Sequence, residues 1–140
     1  MCGIAGVVAK NAKDYYPELA SMIKALDHRG PDSNGTKEYS NCLLGHTRLS
    51  IVDIKGGVQP MLDETSKIAL SFNGEIYGYK KIKRDLLSEW VFKTDSDTEV
   101  VLALYMKYGI ECVKYLKGMF AFIIFDENKN RVFCARDHFG

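Results

Sequence analysis

The sequence predicts an α+β fold in which sheets pack together with helices on their outer faces. Strand patterns dominate both ends of the chain, at residues 2–9 and 119–136. The helical patterns between them do not alternate one for one with strands, as a doubly wound parallel sheet would require.

Residues 2–9 are short, apolar and bounded by Lys10 and Asn11, the pattern of a buried strand that begins at the chain terminus. Pro17 suits a first helical turn, and Leu19, Met22, Ile23 and Leu26 follow at helical spacing until Arg29-Gly30-Pro31-Asp32 stops the element. From Gly35 to Ile54 the alternation suggests two strands, and Gly56-Gly57 breaks it. Residues 67–72 read as another strand, with Asn73-Gly74 as a turn or bend at its end and a helix from Tyr79 through Ser88. Ser96-Asp97-Thr98-Glu99 has the capping-box pattern ahead of Val100, Val101, Leu104 and Tyr105, so a helix should start there and finish near Gly109. Residues 119–126 and 131–136 are apolar strands joined as a hairpin through Glu127-Asn128-Lys129-Asn130.

The chain of 140 residues is 46% hydrophobic and 26% charged, which suits one globular domain with its own core. Nineteen basic against 18 acidic residues provide no electrostatic reason for a nucleic-acid or membrane-surface partner. Lys80, Lys81, Lys83 and Arg84 read as a solvated helix face. No apolar run approaches the ~20 residues of a bilayer span, and no secretory signal is evident, so a cytoplasmic protein is expected. The cysteines at 2, 42, 112 and 134 are scattered, which argues against a disulfide framework or a zinc site; Cys42, Cys112 and Cys134 read as small core residues. His28, His46 and His138 share no metal-ligand spacing and read as structural.

One position carries more chemistry. Removing Met1 would leave Cys2 with a thiol and a free amine on the same residue. An α-amino group titrates near pH ~8 and can act as the base that activates the nucleophile, whereas the same nitrogen in a peptide bond cannot. Taken singly, the other polar candidates have structural readings. Arg29–Asp32 serves as a helix stop, Asn73-Gly74 as a hairpin turn, and Asp97 as a carboxylate favoured by a helix dipole. Arg48 is either an edge residue or a buried ion-pair partner.

Together, however, these residues form an ordered set: Met1-Cys2-Gly3-Ile4, Arg29-Gly30-Pro31-Asp32, Arg48-Leu49-Ser50-Ile51-Val52-Asp53, Gln59-Pro60 and Phe72-Asn73-Gly74-Glu75-Ile76-Tyr77. Ser96-Asp97-Thr98-Glu99-Val100, Gly118-Met119-Phe120-Ala121-Phe122 and Ala135-Arg136-Asp137-His138-Phe139-Gly140 continue it. Over essentially the whole chain the set resembles the amino-terminal glutaminase domain of glutamine-hydrolysing asparagine synthetases. These are class II glutamine amidotransferases of the N-terminal-nucleophile hydrolase superfamily.

That resemblance implies a four-layer αββα sandwich of two antiparallel sheets, with L-glutamine as substrate and ammonia as product. It implies that processed Cys2 is the nucleophile with its own α-amine as base, and that the Asn73 amide and Gly74 N–H form the oxyanion hole. Arg48 matches the group that holds the substrate α-carboxylate, and Asp97 the carboxylate facing its α-ammonium. Leu49, Ser50, Ile51, Val52 and Glu75 match the remaining wall. No metal or organic cofactor is implied for glutamine hydrolysis. ATP and magnesium belong to a synthetase domain expected beyond residue 140, where the strands of the glutaminase domain would also continue, so that 1–140 is an incomplete domain. One departure is Gly78, where the family usually has asparagine; a small change in turn geometry is expected. The ammonia acceptor stays open, as does a homo-oligomer. A truncated, non-catalytic binding or assembly domain is the alternative, motivated by sheet edges left unpaired at Gly140.

Overall fold

A computed structural model describes residues 2–49, 57–65 and 67–140. Its smaller sheet has three strands, β1 (Gly3–Val8), β2 (Ser33–Glu38) and β3 (Cys42–Arg48), in the order β1-β3-β2 and antiparallel throughout. Gly3 lies opposite Thr47, and Val8 opposite Cys42. Alternation along β3 sends Leu43 outward against Leu19 and Ile23 of α1 (Tyr16–Ala25), with Ala5 from β1. Leu44 points the other way, with Cys42, toward the second sheet.

The larger sheet contains β4 (Met61–Leu62), β5 (Ile68–Ile76), β6 (Gly118–Asp126) and β7 (Arg131–Arg136), in that order and all antiparallel. Its outer face presents Leu70, Phe72, Ile76, Phe120, Phe122 and Ile124 to α3 (Asp97–Tyr108), where every residue from Val100 to Tyr105 is buried. At about 1.5–3 kcal/mol for each large apolar side chain removed from water, this cluster is the main source of stability. The short helix α2 (Tyr79–Leu86) has no fully buried residue, in keeping with a solvated basic face. Between the sheets, among the described residues, Tyr39, Cys42, Leu44, Ala69 and Phe125 form a small buried cluster. Here is the four-layer arrangement α1, small sheet, large sheet, α3. The apolar packing between the sheets sits away from Cys2 and Asn73 and leaves their end open for a cavity.

Some expectations need correction. Asn73-Gly74 is not a turn: β5 continues through it to Ile76, because β6 offers nine residues of partner strand, from Gly118 opposite Ile76 to Asp126 opposite Ile68. Ser96 caps α3, but its hydroxyl accepts from Thr98. Glu99 reaches further back, accepting from the backbone of Lys93 and Thr94, so the capping box is opened into a loop clamp. Cys134 is exposed. It shares a face with its cross-strand partner Ile123, one strand beyond the part of the large sheet that β1 covers. Cys42 and Cys112 are buried as expected. The strand reading through Ile54 and the break at Gly56 fall largely outside the described residues; the described part of β3 stops at Arg48.

Candidate active site

Strand β1 begins beside Cys2 and holds it from several directions. The Gly3 N–H donates to Thr47 Oγ1 at 3.1 Å, and that hydroxyl donates to the Leu26 carbonyl at 3.2 Å, tying the strand to the end of α1. Arg29 Nε donates to the Cys2 carbonyl at 3.1 Å. The Leu49 N–H points at Cys2 Sγ at 3.4 Å, and the Leu49 carbonyl lies 3.9 Å from the same sulfur. Gly30 allows this approach, since a Cβ there would overlap the β3 backbone at Thr47 and Arg48. The loop is then fastened by Asp32 N–H to the Arg48 carbonyl at 3.0 Å.

Facing the sulfur is the open edge of β5. The β4 pairing ends at Leu70, so alternate peptide groups beyond it must find other partners. The Phe72 N–H donates to Gln59 Oε1 at 2.6 Å, and the Phe72 carbonyl accepts from His46 Nε2 at 3.1 Å. The Ile76 N–H donates to Asp97 Oδ2 at 2.8 Å. Gly74 lies between them in the alternation, which aims its N–H along the same edge. Its φ of 153° and the overlap that a Cβ would make with the Met119 carbonyl explain why glycine stands there. Asn73 projects from the face shared with Ser71, whose hydroxyl donates to Gly45 on β3, so its amide sits between the sheets. Asn73 Oδ1 is buried without a hydrogen-bond partner among the described residues, leaving the amide nitrogen as the end that can serve a ligand.

The charged residues complete the enclosure. Arg48 is buried at the end of β3, one residue past the partner of Gly3. Asp97 is buried in the first turn of α3; burial raises its pKa above the usual carboxylate range, against the opposing hydrogen bond from Ile76. The neighbouring Glu75 raises it further. Cys2, Arg48, Leu49, Asn73, Gly74, Glu75 and Asp97 all line one cavity of about 300 Å³. A larger cleft of about 610 Å³ runs between Met61, Trp90 and Leu102; among the described residues its lining has Lys93 as a cation but no cysteine or histidine.

Every described candidate residue is therefore gathered at one place. Ser50, Ile51 and Val52 lie outside the described residues. Sequence reasoning missed Thr47, Met119 and the supporting roles of Arg29, Gln59 and His46. Gln59 and Arg29 stand in motifs that were visible in the sequence, but neither motif names the backbone group its side chain would hold. Among the described residues no group of three or more His, Cys, Asp and Glu side chains could hold a metal ion. No helix among them is long and apolar enough to cross a membrane.

Residues 1–140 match the glutamine amidotransferase domain. The chain is 40% identical over 142 residues to the probable glutamine-hydrolysing asparagine synthetase of Schizosaccharomyces pombe, covering all of this chain and 26% of that protein. It is 38% identical over 142 residues to asparagine synthetase B of Escherichia coli, again covering 100% and 26%. It is also 38% identical over 154 residues to amidase chry2 of Gibberella zeae, with 100% and 23% covered. The chain thus spans about a quarter of the length of the curated relatives it matches. The glutamine phosphoribosylpyrophosphate amidotransferase of B. subtilis shares the fold, with a TM-score of 0.70 at 20% identity over 91% of this chain and 35% of that one.

Proposed function

Because the chain belongs to the glutamine amidotransferase domain family, we propose that its cavity hydrolyses L-glutamine to glutamate and ammonia through a thioester on Cys2. The observation that carries this reading is the convergence of a sulfur, an amide and backbone donor pair, and opposite charges on one cavity wall. Arg48 takes the substrate α-carboxylate and Asp97 its α-ammonium, a charge match at both ends of an amino acid that an apolar pocket could not supply. With the amino acid held at both charged ends, its side-chain carboxamide extends toward Cys2.

Once Met1 is removed, the α-amine accepts the thiol proton as sulfur attacks the carboxamide carbon. The negative oxygen that forms is met by Asn73 Nδ2 and the Gly74 N–H; loss of one such donor costs about 3 kcal/mol in the transition state. The protonated amine then gives its proton to the carboxamide nitrogen, which leaves as ammonia as the C–N bond breaks; a water deprotonated by the same amine attacks the thioester, releasing glutamate, and that proton passes back to the Cys2 thiolate. No metal or organic cofactor enters this half-reaction.

The sequence relatives support a setting in a glutamine-hydrolysing asparagine synthetase, with ammonia delivered to an activated aspartate on a synthetase domain that uses ATP and magnesium. The amidase relative favours a second reading, in which the same glutaminase half serves another acceptor. A reducing cytoplasm suits a protein with four free cysteines and a thiol nucleophile. The test is glutamate release by the Met1-free protein, abolished in Cys2→Ala, reduced through KM in Arg48→Ala and through kcat in Asn73→Ala. Processed wild type that releases no more glutamate than Cys2→Ala would refute the glutaminase reading.

A further inference from the structure

Both backbone groups of Phe72 on the edge away from β6 are held by side chains from outside the sheet: Gln59 Oε1 accepts its N–H at 2.6 Å and His46 Nε2 lies 3.1 Å from its carbonyl. Both side chains are buried, and both come from elsewhere in the chain, 13 and 26 residues away. A carbonyl can only accept, so His46 carries its proton on Nε2, and the buried Nδ1, which has no partner among the described residues, is the bare nitrogen. The residue that follows Phe72 is Asn73, and Gly74 continues along the same unpaired edge.

We propose that Gln59 and His46 are positioning residues for the oxyanion hole: by clamping the Phe72 peptide they fix the distance and angle at which Asn73 Nδ2 and the Gly74 N–H meet the reacting oxygen. The physical need is specific. Between the end of the β4 pairing at Leu70 and the Asp97 anchor at Ile76, no strand among the described residues pairs with β5 on this side. Without a hold on Phe72, the stretch from Leu70 to Ile76 that carries both donors is secured on this edge only at its ends, while β6 secures the other edge. A preorganised donor stabilises charge because it does not have to move during the reaction, so looseness here lowers the chemical step and leaves ground-state binding largely intact. Binding is set by Arg48 and Asp97, which are carried on β3 and α3 and not on the Phe72–Gly74 segment that presents the oxyanion donors.

This inference rests on the glutaminase reading of the site, and the experiment separates the two. Steady-state glutamine hydrolysis is measured for the processed protein at full length in four variants. Gln59→Leu and His46→Leu each remove one half of the clamp, whereas Gln59→Glu keeps an acceptor oxygen and His46→Gln keeps a donor at the same reach. The expected result is that each Leu variant loses roughly 10- to 100-fold in kcat with KM changed by less than about 3-fold. His46→Gln and Gln59→Glu should recover most of the loss. Backbone amide exchange provides a readout independent of turnover: Phe72 should exchange at least about 10-fold faster in Gln59→Leu, while Ser71 and Ile123 in the β5–β6 ladder stay protected. Glutamate release insensitive to both Leu substitutions, losses appearing in KM, or exchange accelerated uniformly through the sheet would overturn the clamp alone. Wild type inactive on glutamine would instead sink the reading of the site, and the clamp's role with it.

Discussion

Arg29 Nε donates to the carbonyl of Cys2 at 3.1 Å, linking the loop after α1 to the residue that carries the thiol. A chain end frays unless something ties it down. Here the tie is to the peptide next to the sulfur. Arg29→Ala should lower glutamine-dependent kcat by about 10- to 100-fold through misplacement of the nucleophile, with little change in far-UV circular dichroism. Unchanged kcat would show that Thr47 and Leu49 hold Cys2 without it.

Two glycines make a matched pair for stability measurements. At Gly74 a methyl group would overlap the backbone of Met119 on the partner strand, and φ is 153°, so Gly74→Ala should cost more than about 3 kcal/mol in urea unfolding. Gly78 also has positive φ, 67°, but nothing lies within 4 Å of a Cβ there. Gly78→Ala should cost only about 1 kcal/mol, so the departure expected at this position is a mild one.

Glu99, in the first turn of α3, anchors the loop before that helix. Burial opposes its charge, but donors from Thr94, Lys93 and Trp90 outweigh that and hold its carboxyl below the usual range. Its stabilising effect is therefore present above that range and lost as pH falls through the lowered pKa. Glu99→Ala should destabilise by about 2 kcal/mol at neutral pH, read by thermal unfolding, and shift the emission of Trp90, whose Nε1 lies 3.5 Å from Glu99 Oε1.

Burial pulls the His46 pKa from 6.5 down to about 4, with Arg48 pushing the same way and the Phe72 carbonyl opposing. Between those values the unfolded chain binds a proton that the folded chain refuses. The stability is full above about pH 6.5 and declines toward pH 4 by up to about 1.4 kcal/mol per unit. Asp97, raised by burial, works in the opposite sense across the carboxylate range. Urea midpoints at pH 7 and pH 5 should therefore differ more in wild type than in His46→Gln, which has no imidazole to protonate. Equal differences would place the acid sensitivity elsewhere.

The parts of this molecule that could be read from the chain are those decided by neighbours in sequence. The helix start at Ser96, the spacing of Leu19 and Ile23, and the hairpin through 127–130 depend on contacts a few residues apart, and all are present. The candidate site residues Cys2, Arg48, Asn73, Gly74 and Asp97 were legible only as an ordered set resembling one family, since each alone fits a bland structural role. Only the tertiary structure decided that Asn73-Gly74 lies inside a strand, because that depends on the length of β6, more than 40 residues later. The exposure of Cys134 likewise follows from how far the smaller sheet reaches across the larger. The same holds for Gln59, His46 and Arg29. Each satisfies a distant backbone group, and a hydrogen bond between a side chain and a peptide 13 to 27 residues away leaves no periodic trace in the sequence.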